Sequence, residues 1–246
     1  MFQNFKKIGN KYQKSYYRVQ KRNLLFPNEK YIHSSLNINK ADLHRFKFVH
    51  NIFKNQTGSM LDIGCNDGYF MRRFPWKFDT FLGLDMFSIQ KYTNNLFSKQ
   101  KKRYTLSGKI SYITGLFEEI HFQRKFDFVF AGEIIEHVRN PDVFLNHLVK
   151  VLKPNSVWCI TTPDNIGIEL EEHNRQFTDI SLYQLLQKYF CNIHIVHLKS
   201  PGNSWPFLIA TGDGKRISIT KRLFLWSSQK FHYLLRRFTI PKRTFP

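Results

Sequence analysis

A chain of 246 residues, 42% hydrophobic and 16% aromatic, has the size and apolar content of one large folded domain with extensions, which excludes a disordered or fibrous protein. Its three cysteines, Cys65, Cys159 and Cys191, are scattered without C-x-x-C spacing, which argues against a disulfide framework or a cysteine zinc site and for a reducing compartment. The net charge of +20 is uneven: residues 1–38 carry +7, residues 39–214 carry +4 and residues 215–246 carry +9. Basic appendages on a nearly balanced core could face anionic lipid, nucleic acid or an acidic substrate.

The first residues, MFQNFKKIGNKYQ, lack the apolar run of a secretory leader. No segment approaches the roughly 20 apolar residues needed to span a bilayer, so a cytoplasmic location is expected. Asn39 as N-cap and Asp42 in the first turn predict a helix whose apolar face carries Leu43, Phe46, Val49 and Phe53. Met60 to Phe70 read MLDIGCNDGYF: a short apolar strand, then Gly64 and Gly68, then a new helical pattern near Tyr69 to Arg73. Glycine suits such a turn because a β-carbon would block a ligand approaching the backbone, and the helix start offers free N–H groups.

Thr80 to Leu84 form a second strand closed by Asp85, and a helix is expected within Ser88 to Lys102. Strands follow at Ile110 to Ile113 and Phe126 to Ala131, rich in aromatic and β-branched residues. Asp142 to Leu152 read as a helix, which Lys153-Pro154-Asn155 should break before a strand at Val157 to Thr161. Phe177 to Tyr189 read as another helix. The last strands, Ile193 to Leu198 and Phe207 to Thr211, flank the turn-rich SPGNSWP and suit antiparallel pairing. The alternation predicts an α/β fold with a doubly wound, mostly parallel sheet, its ligand beyond the carboxyl ends of the strands at a topological switch.

Four blocks in order, LDIGCNDG, FLGLD ending at Asp85, FDFVFAGEIIEHVRNP from Phe126, and LVKVLKPNSVWCITTPD ending at Asp164, carry a resemblance to class I S-adenosylmethionine (SAM) methyltransferases, the group that includes ubiquinone-pathway O-methyltransferases. It covers about residues 39–212. It implies a Rossmann-like seven-stranded sheet with the last strand antiparallel, residues 39–214 as the methyltransferase domain, and SAM as cofactor. Asp62, Gly64, Cys65, Asn66 and Gly68 would form the turn under the methionine half, with the Asp62 carboxylate reaching the ammonium. Asn66 stands where the family usually has glycine, and Asn adopts left-handed backbone more readily than most residues. Asp85 would accept hydrogen bonds from the ribose hydroxyls, with Met86 beside it. Leu116 and Phe117 would supply backbone and an apolar wall for adenine, and Glu133 would line the pocket. The G-x-G-x-x-G fingerprint of nicotinamide enzymes is absent.

Glu133, Glu136 and His137 stand at i, i+3 and i+4, so on a helix they would share one face at the cofactor mouth. Methyl transfer to oxygen benefits from a base, and His137, joined by His173 from a later loop, is the catalytic assignment. A similar E-x-x-E-H with a later histidine binds a divalent ion in small-RNA 2′-O-methyltransferases and also occurs in ubiquinone-pathway enzymes. Glu133, Glu136, His137 and His173 could accept magnesium, manganese or zinc. Metal ligation, base catalysis without metal and a structural role remain open, and no metal ligand is assigned. His121, His147, His194 and His197 show no convergent partners in the sequence, and Arg139 and Asp142 suit the helix start after Pro141.

Residues 219–238, ITKRLFLWSSQKFHYLLRRF, read as a basic amphipathic helix that would lie on an anionic membrane, bind nucleic acid or pack on the domain. Peripheral contact through residues 215–246 is therefore expected alongside a cytoplasmic location. Residues 1–38 resemble the lid helices that close over SAM in this family. The expected reaction is methylation of an oxygen on a small-molecule or lipid-linked acceptor. The alternatives are a 2′-O RNA methyltransferase with a divalent ion, or a catalytically idle binding module. Oligomeric state is not legible.

Overall fold

The computed structural model describes residues 40–66, 68–86, 108–164, 173–201 and 206–215. The elements are α1 (Lys40–Phe53), β1 (Thr57–Ile63), α2 (Tyr69–Arg73), β2 (Lys77–Asp85), β3 (Lys109–Thr114), a 3₁₀ turn (Phe117–Glu119), β4 (Phe126–Gly132), α3 (Pro141–Val151), β5 (Leu152–Pro163), α4 (Asp179–Leu186), β6 (Ile193–Leu198) and β7 (Phe207–Asp213). The Asn39 cap, the helix expected within 88–102 and almost all of the two basic ends lie outside the described residues.

The strands form one seven-stranded sheet in the order β3-β2-β1-β4-β5-β7-β6. Neighbours from β3 to β5 run parallel, and β7 lies antiparallel to both β5 and β6. The chain winds outward from β1 to β3, then returns to β4 on the other side of β1. The switch between β1 and β4 opens a crevice at their carboxyl ends, where the glycine turn was expected to find its ligand.

Strands β1 and β4 are buried on both faces, as continuous apolar runs in a parallel sheet must be. One face packs α1 and α2 through Val49, Phe53, Phe70 and Met71. The other packs α3 and α4 through Phe144, Leu148, Leu182 and Leu186. The apolar stripe of α1 runs through Ala41, Val49 and Phe53 but includes Arg45, which is equally buried.

The helical boundaries follow their caps. Asn140 accepts hydrogen bonds from the amides of Asp142 and Val143 and places Pro141 in the first turn of α3. Thr178 and Ser181 form a reciprocal capping box, so α4 starts at Asp179 rather than at Phe177. The helix ends at Val151, as expected before Lys153-Pro154-Asn155, but these residues form no separate loop. Strand β5 begins at Leu152, and these residues bulge out opposite a register shift in β4, between the pairs Phe126↔Leu152 and Phe128↔Val157. A bulge is where a strand tolerates proline. Lys153 Nζ, 2.7 Å from Asp127 Oδ2, and Ser156 Oγ, 2.6 Å from the Lys153 carbonyl, hold it.

Candidate active site

At the end of β1 the backbone turns through Gly64, Asn66 and Gly68, at φ 70°, 48° and 73°. All three are left-handed, including the asparagine that stands where glycine is usual, and left-handed residues in series suit a turn that presents amides to a ligand. The Gly64 and Cys65 amides donate to the Leu84 carbonyl at 2.8 and 3.0 Å, and the Gly68 amide donates to the Cys65 carbonyl at 2.8 Å. Space is as restrictive as φ. A β-carbon on Gly64 would overlap Ile134, and one on Gly68 would overlap the Tyr112 hydroxyl. The glycine turn therefore packs directly against the turn that follows β4.

The other residues expected to hold a cofactor lie toward the carboxyl ends of β1 and β2 and just after β3. Asp62 is buried in β1 between Gly83 and Phe130. Cys65 is buried close to Gly83, where any side chain would collide with its sulfur. Asp85, half-buried at the end of β2, accepts the Asn66 amide on Oδ2 at 2.9 Å, which fixes the carboxylate at the mouth, and Met86 beside it is half-buried. Leu116 is half-buried too, whereas the Phe117 ring is committed to the core against Phe144 and His147. A cofactor there would meet Phe117 through its backbone.

The Glu133–His137 segment is not a helix, which corrects the expectation that its polar groups share one face. Glu133 has φ 56°, a conformation that cannot begin an α-helix, and residues 135–137 close as turns on the Ile134 carbonyl. The two glutamates consequently face different partners. Glu133 Oε1 lies 2.9 Å from the Arg45 guanidinium and accepts the Thr161 hydroxyl at 2.9 Å. Glu136, 1% exposed, accepts the Thr162 hydroxyl on Oε2 at 3.0 Å. Thr161 and Thr162 are consecutive in β5, where side chains alternate between faces, so one dipeptide holds both carboxylates apart.

Burial pushes the Glu133 carboxyl up, opposed by the Arg45 charge. Burial, and then the nearby Glu133 charge, push Glu136 well above the usual carboxylate range. His137 Nε2 lies 3.9 Å from Glu136 Oε1. His173 arrives as expected, its ring 4.8 Å from that of His137 at 81°. Asn174 fixes the approach: its amide donates to the Glu136 carbonyl at 2.9 Å and its Nδ2 to the His137 carbonyl at 2.5 Å. Arg175 adds a bond to the Val138 carbonyl at 2.6 Å. One ligand atom each from Glu136, His137 and His173 fall within 4.8 Å of one another. That set of one carboxylate and two imidazoles could hold a divalent ion. Glu133, turned toward Arg45, is not part of it.

Arg45 was missed in the sequence. Its signal was a cation on the apolar stripe of α1, four residues from both Ala41 and Val49. It donates to Thr161 Oγ1 at 2.7 Å and to Asp42 Oδ1 at 2.9 Å, and stacks against Phe46 and Phe207. His197 also has partners the sequence did not reveal, Asp164 at 2.9 Å and Asp179 at 3.3 Å. His147 is packed among Phe117 and Phe122.

A family model described as "Methyltransferase domain" matches residues 39–205, the whole span from α1 through the site. The chain belongs to this methyltransferase-domain family. Among curated relatives, the ubiquinone biosynthesis O-methyltransferases of Rickettsia bellii and Rhodopseudomonas palustris (strain HaA2) are 28% and 32% identical to the methyltransferase over 103 residues. Those matches span 42% of this chain and only about two-fifths of the relatives, 41% and 39%.

Solved structures share the fold at low identity. The N-methyltransferase NodS of Bradyrhizobium japonicum with S-adenosylhomocysteine superposes with a TM-score of 0.58 at 14% identity, covering 72% of this methyltransferase and 88% of NodS. A Burkholderia thailandensis 1,6-didemethyltoxoflavin N1-methyltransferase gives 0.59 at 15%, covering 76% and 86%. The small RNA methyltransferase HEN1 gives 0.58 at 16%, covering 70% of this chain and 25% of HEN1.

The residues fit the cofactor. The switch in the sheet, a turn whose glycines leave no β-carbon in a ligand's way and an acid at the end of β2 give a nucleoside carrying an amino-acid tail room and an acceptor.

Proposed function

We propose that this methyltransferase alkylates an oxygen of a small or lipid-linked acceptor, with His137 as general base and His173 beside it. The observation that carries the reading is the approach of His173 to His137, which lies in the turn that begins at Glu133 and touches the glycine turn through Ile134. SAM supplies an electrophilic methyl on a sulfonium, and transfer needs the acceptor oxygen in line with it. His137, whose side chain is 22% exposed, can meet an acceptor hydroxyl and take its proton as the oxygen acquires the methyl group. Glu136, 1% exposed, cannot reach the acceptor and instead backs the histidine. The O-methyltransferase names of the matched relatives support oxygen as the acceptor atom.

We also place the enzyme in the cytoplasm, with the basic residues 215–246 giving it peripheral contact with an anionic membrane. A second reading draws on the same cluster: a divalent ion on Glu136, His137 and His173 could activate a ribose hydroxyl of RNA, and a small RNA methyltransferase is among the proteins of this fold.

Radiolabelled SAM, incubated with the enzyme and a cell extract later split into lipid, small-molecule and RNA fractions, separates the two. The expected result is label in the lipid or small-molecule fraction, resistant to nuclease and undiminished by EDTA. Label confined to RNA and lost in EDTA would replace the first reading with the second.

A further inference from the structure

We propose that Arg175 is a positioning residue for the histidine pair: with Asn174 it occupies the backbone carbonyls of the turn from Ile135 to Arg139 and so sets where His137 stands against His173. Every carbonyl of that turn is engaged. Arg175 Nη1 donates to the Val138 carbonyl at 2.6 Å and to the Ile135 carbonyl at 3.4 Å, and Nη2 donates to the Arg139 carbonyl at 3.1 Å. Between them, the Asn174 amide donates to the Glu136 carbonyl at 2.9 Å and Nδ2 donates to the His137 carbonyl at 2.5 Å. His173 directly precedes these two residues. The contact that holds the His137 backbone therefore also delivers the second imidazole, its ring 4.8 Å from the first.

The turn needs outside donors because its own chain withholds them. The His137 and Val138 amides close on the Ile134 carbonyl at 2.9 and 3.1 Å. In a helix that continued from there, each later carbonyl would accept from the amide four residues on. For His137 that residue is Pro141, which has no N–H. For Val138 and Arg139 the residues are Asp142 and Val143, whose amides donate instead to Asn140 Oδ1 at 3.1 and 3.3 Å. The cap that starts α3 thus strips the turn of donors, and its carbonyls must be paired from elsewhere. A guanidinium suits the gap, because its planar fork aims several N–H groups at once where an ammonium acts as a point. The segment is anchored just beyond: Phe177 is buried in the core and Thr178 caps α4. The inference rests on the proposed role of His137 and His173, but it is read from the rings themselves, independently of methyl transfer.

The test is NMR at a single pH on the full-length protein with labelled histidine rings and bound S-adenosylhomocysteine, comparing the native chain with Arg175→Lys and Asn174→Ala. The native protein should show a nuclear Overhauser cross-peak between the His137 and His173 rings. Arg175→Lys keeps the charge but not the fork. It should abolish the cross-peak and displace both resonances, while His50, stacked on Phe74 in the core of the opposite face, stays in place. S-adenosylhomocysteine affinity should stay within about twofold. Label transfer from SAM into a cell extract should fall about tenfold or more, since a misplacement of about 1 Å is costly to an in-line reaction. Asn174→Ala, at an exposed position, removes the bond to the His137 carbonyl and should displace the same two resonances; it decides the question if Arg175→Lys does not fold. A native cross-peak with native His137 and His173 resonances in folded Arg175→Lys, or in Asn174→Ala if the first variant does not fold, would overturn the inference. Displaced rings with undiminished label transfer would uphold the positioning and overturn the proposed role of the histidines.

Discussion

The Arg45 guanidinium lies 2.9 Å from Glu133 Oε1, and this pair joins the helix before the glycine turn to the turn after β4. Arg45 is 5% exposed and Glu133 holds a left-handed backbone at φ 56°, a conformation that costs about 1–3 kcal/mol and persists only when its surroundings impose it. Removing one member of a buried pair costs about 3–5 kcal/mol, because the other charge is left behind. Arg45→Met should therefore lower chemical denaturation stability by that order. Adding Glu133→Gln should recover part of the loss. Strict additivity of the two substitutions would show that the pair is not coupled.

Gly68 meets two constraints at once, φ 73° and the Tyr112 hydroxyl. Gly68→Ala should weaken SAM binding about tenfold or more, since left-handed backbone alone costs alanine about 1–2 kcal/mol. Tyr112→Phe in that background should restore part of the affinity by removing the overlapping oxygen and leaving the φ penalty. Calorimetry with SAM reads both, and native affinity in Gly68→Ala would show that the turn does not hold the cofactor.

Thr162→Val would strip the hydroxyl from Glu136 Oε2 while preserving shape. A buried acceptor left unsatisfied costs about 1–3 kcal/mol. Thermal stability and methyl transfer should both fall, SAM affinity should hold, and Thr162→Ser should restore the two that fall. A Thr162→Val enzyme with native turnover would detach Glu136 from the working site.

His147 is held below its ordinary pKa, first by burial and then by Lys150 and His121. Its folded-state value is depressed, so the unfolded chain gains a proton first as pH falls. Stability is thus complete above about 6.5 and declines below it. His50, lowered mainly by burial, acts with the same sign. His147→Phe, placed among Phe117 and Phe122, should lose less melting temperature between pH 7.5 and 5.5 than the native protein does. Equal losses would assign the acid sensitivity elsewhere.

The mostly parallel sheet and the backbone of the glycine turn were legible because they follow from local rules: strands alternating with helices, glycine where φ is positive, and an asparagine able to stand in for one at Asn66. The arrangement of Glu133 and Glu136 was not, because helical spacing assumes a helix, and the positive φ of Glu133 depends on Arg45 and Thr161, remote in sequence. The early start of β5 at Leu152 was hidden for a related reason: a bulge accommodates Pro154 only because β4 shifts register opposite. His197 was unreadable since Asp164 and Asp179 reach it through three different elements. The meeting of His137 and His173 was anticipated from the place of His173 after the fifth strand and from family resemblance, as no spacing rule joins them.

The most direct measurement is label transfer from SAM into a cell extract by native enzyme and by His137→Ala at equal SAM occupancy, confirmed by calorimetry. A positioned base contributes about 10²–10⁴-fold. The expected result is transfer reduced by at least about a hundredfold in His137→Ala, with SAM affinity unchanged. Undiminished transfer by His137→Ala would contradict the assignment of the base and return this turn to a purely structural role.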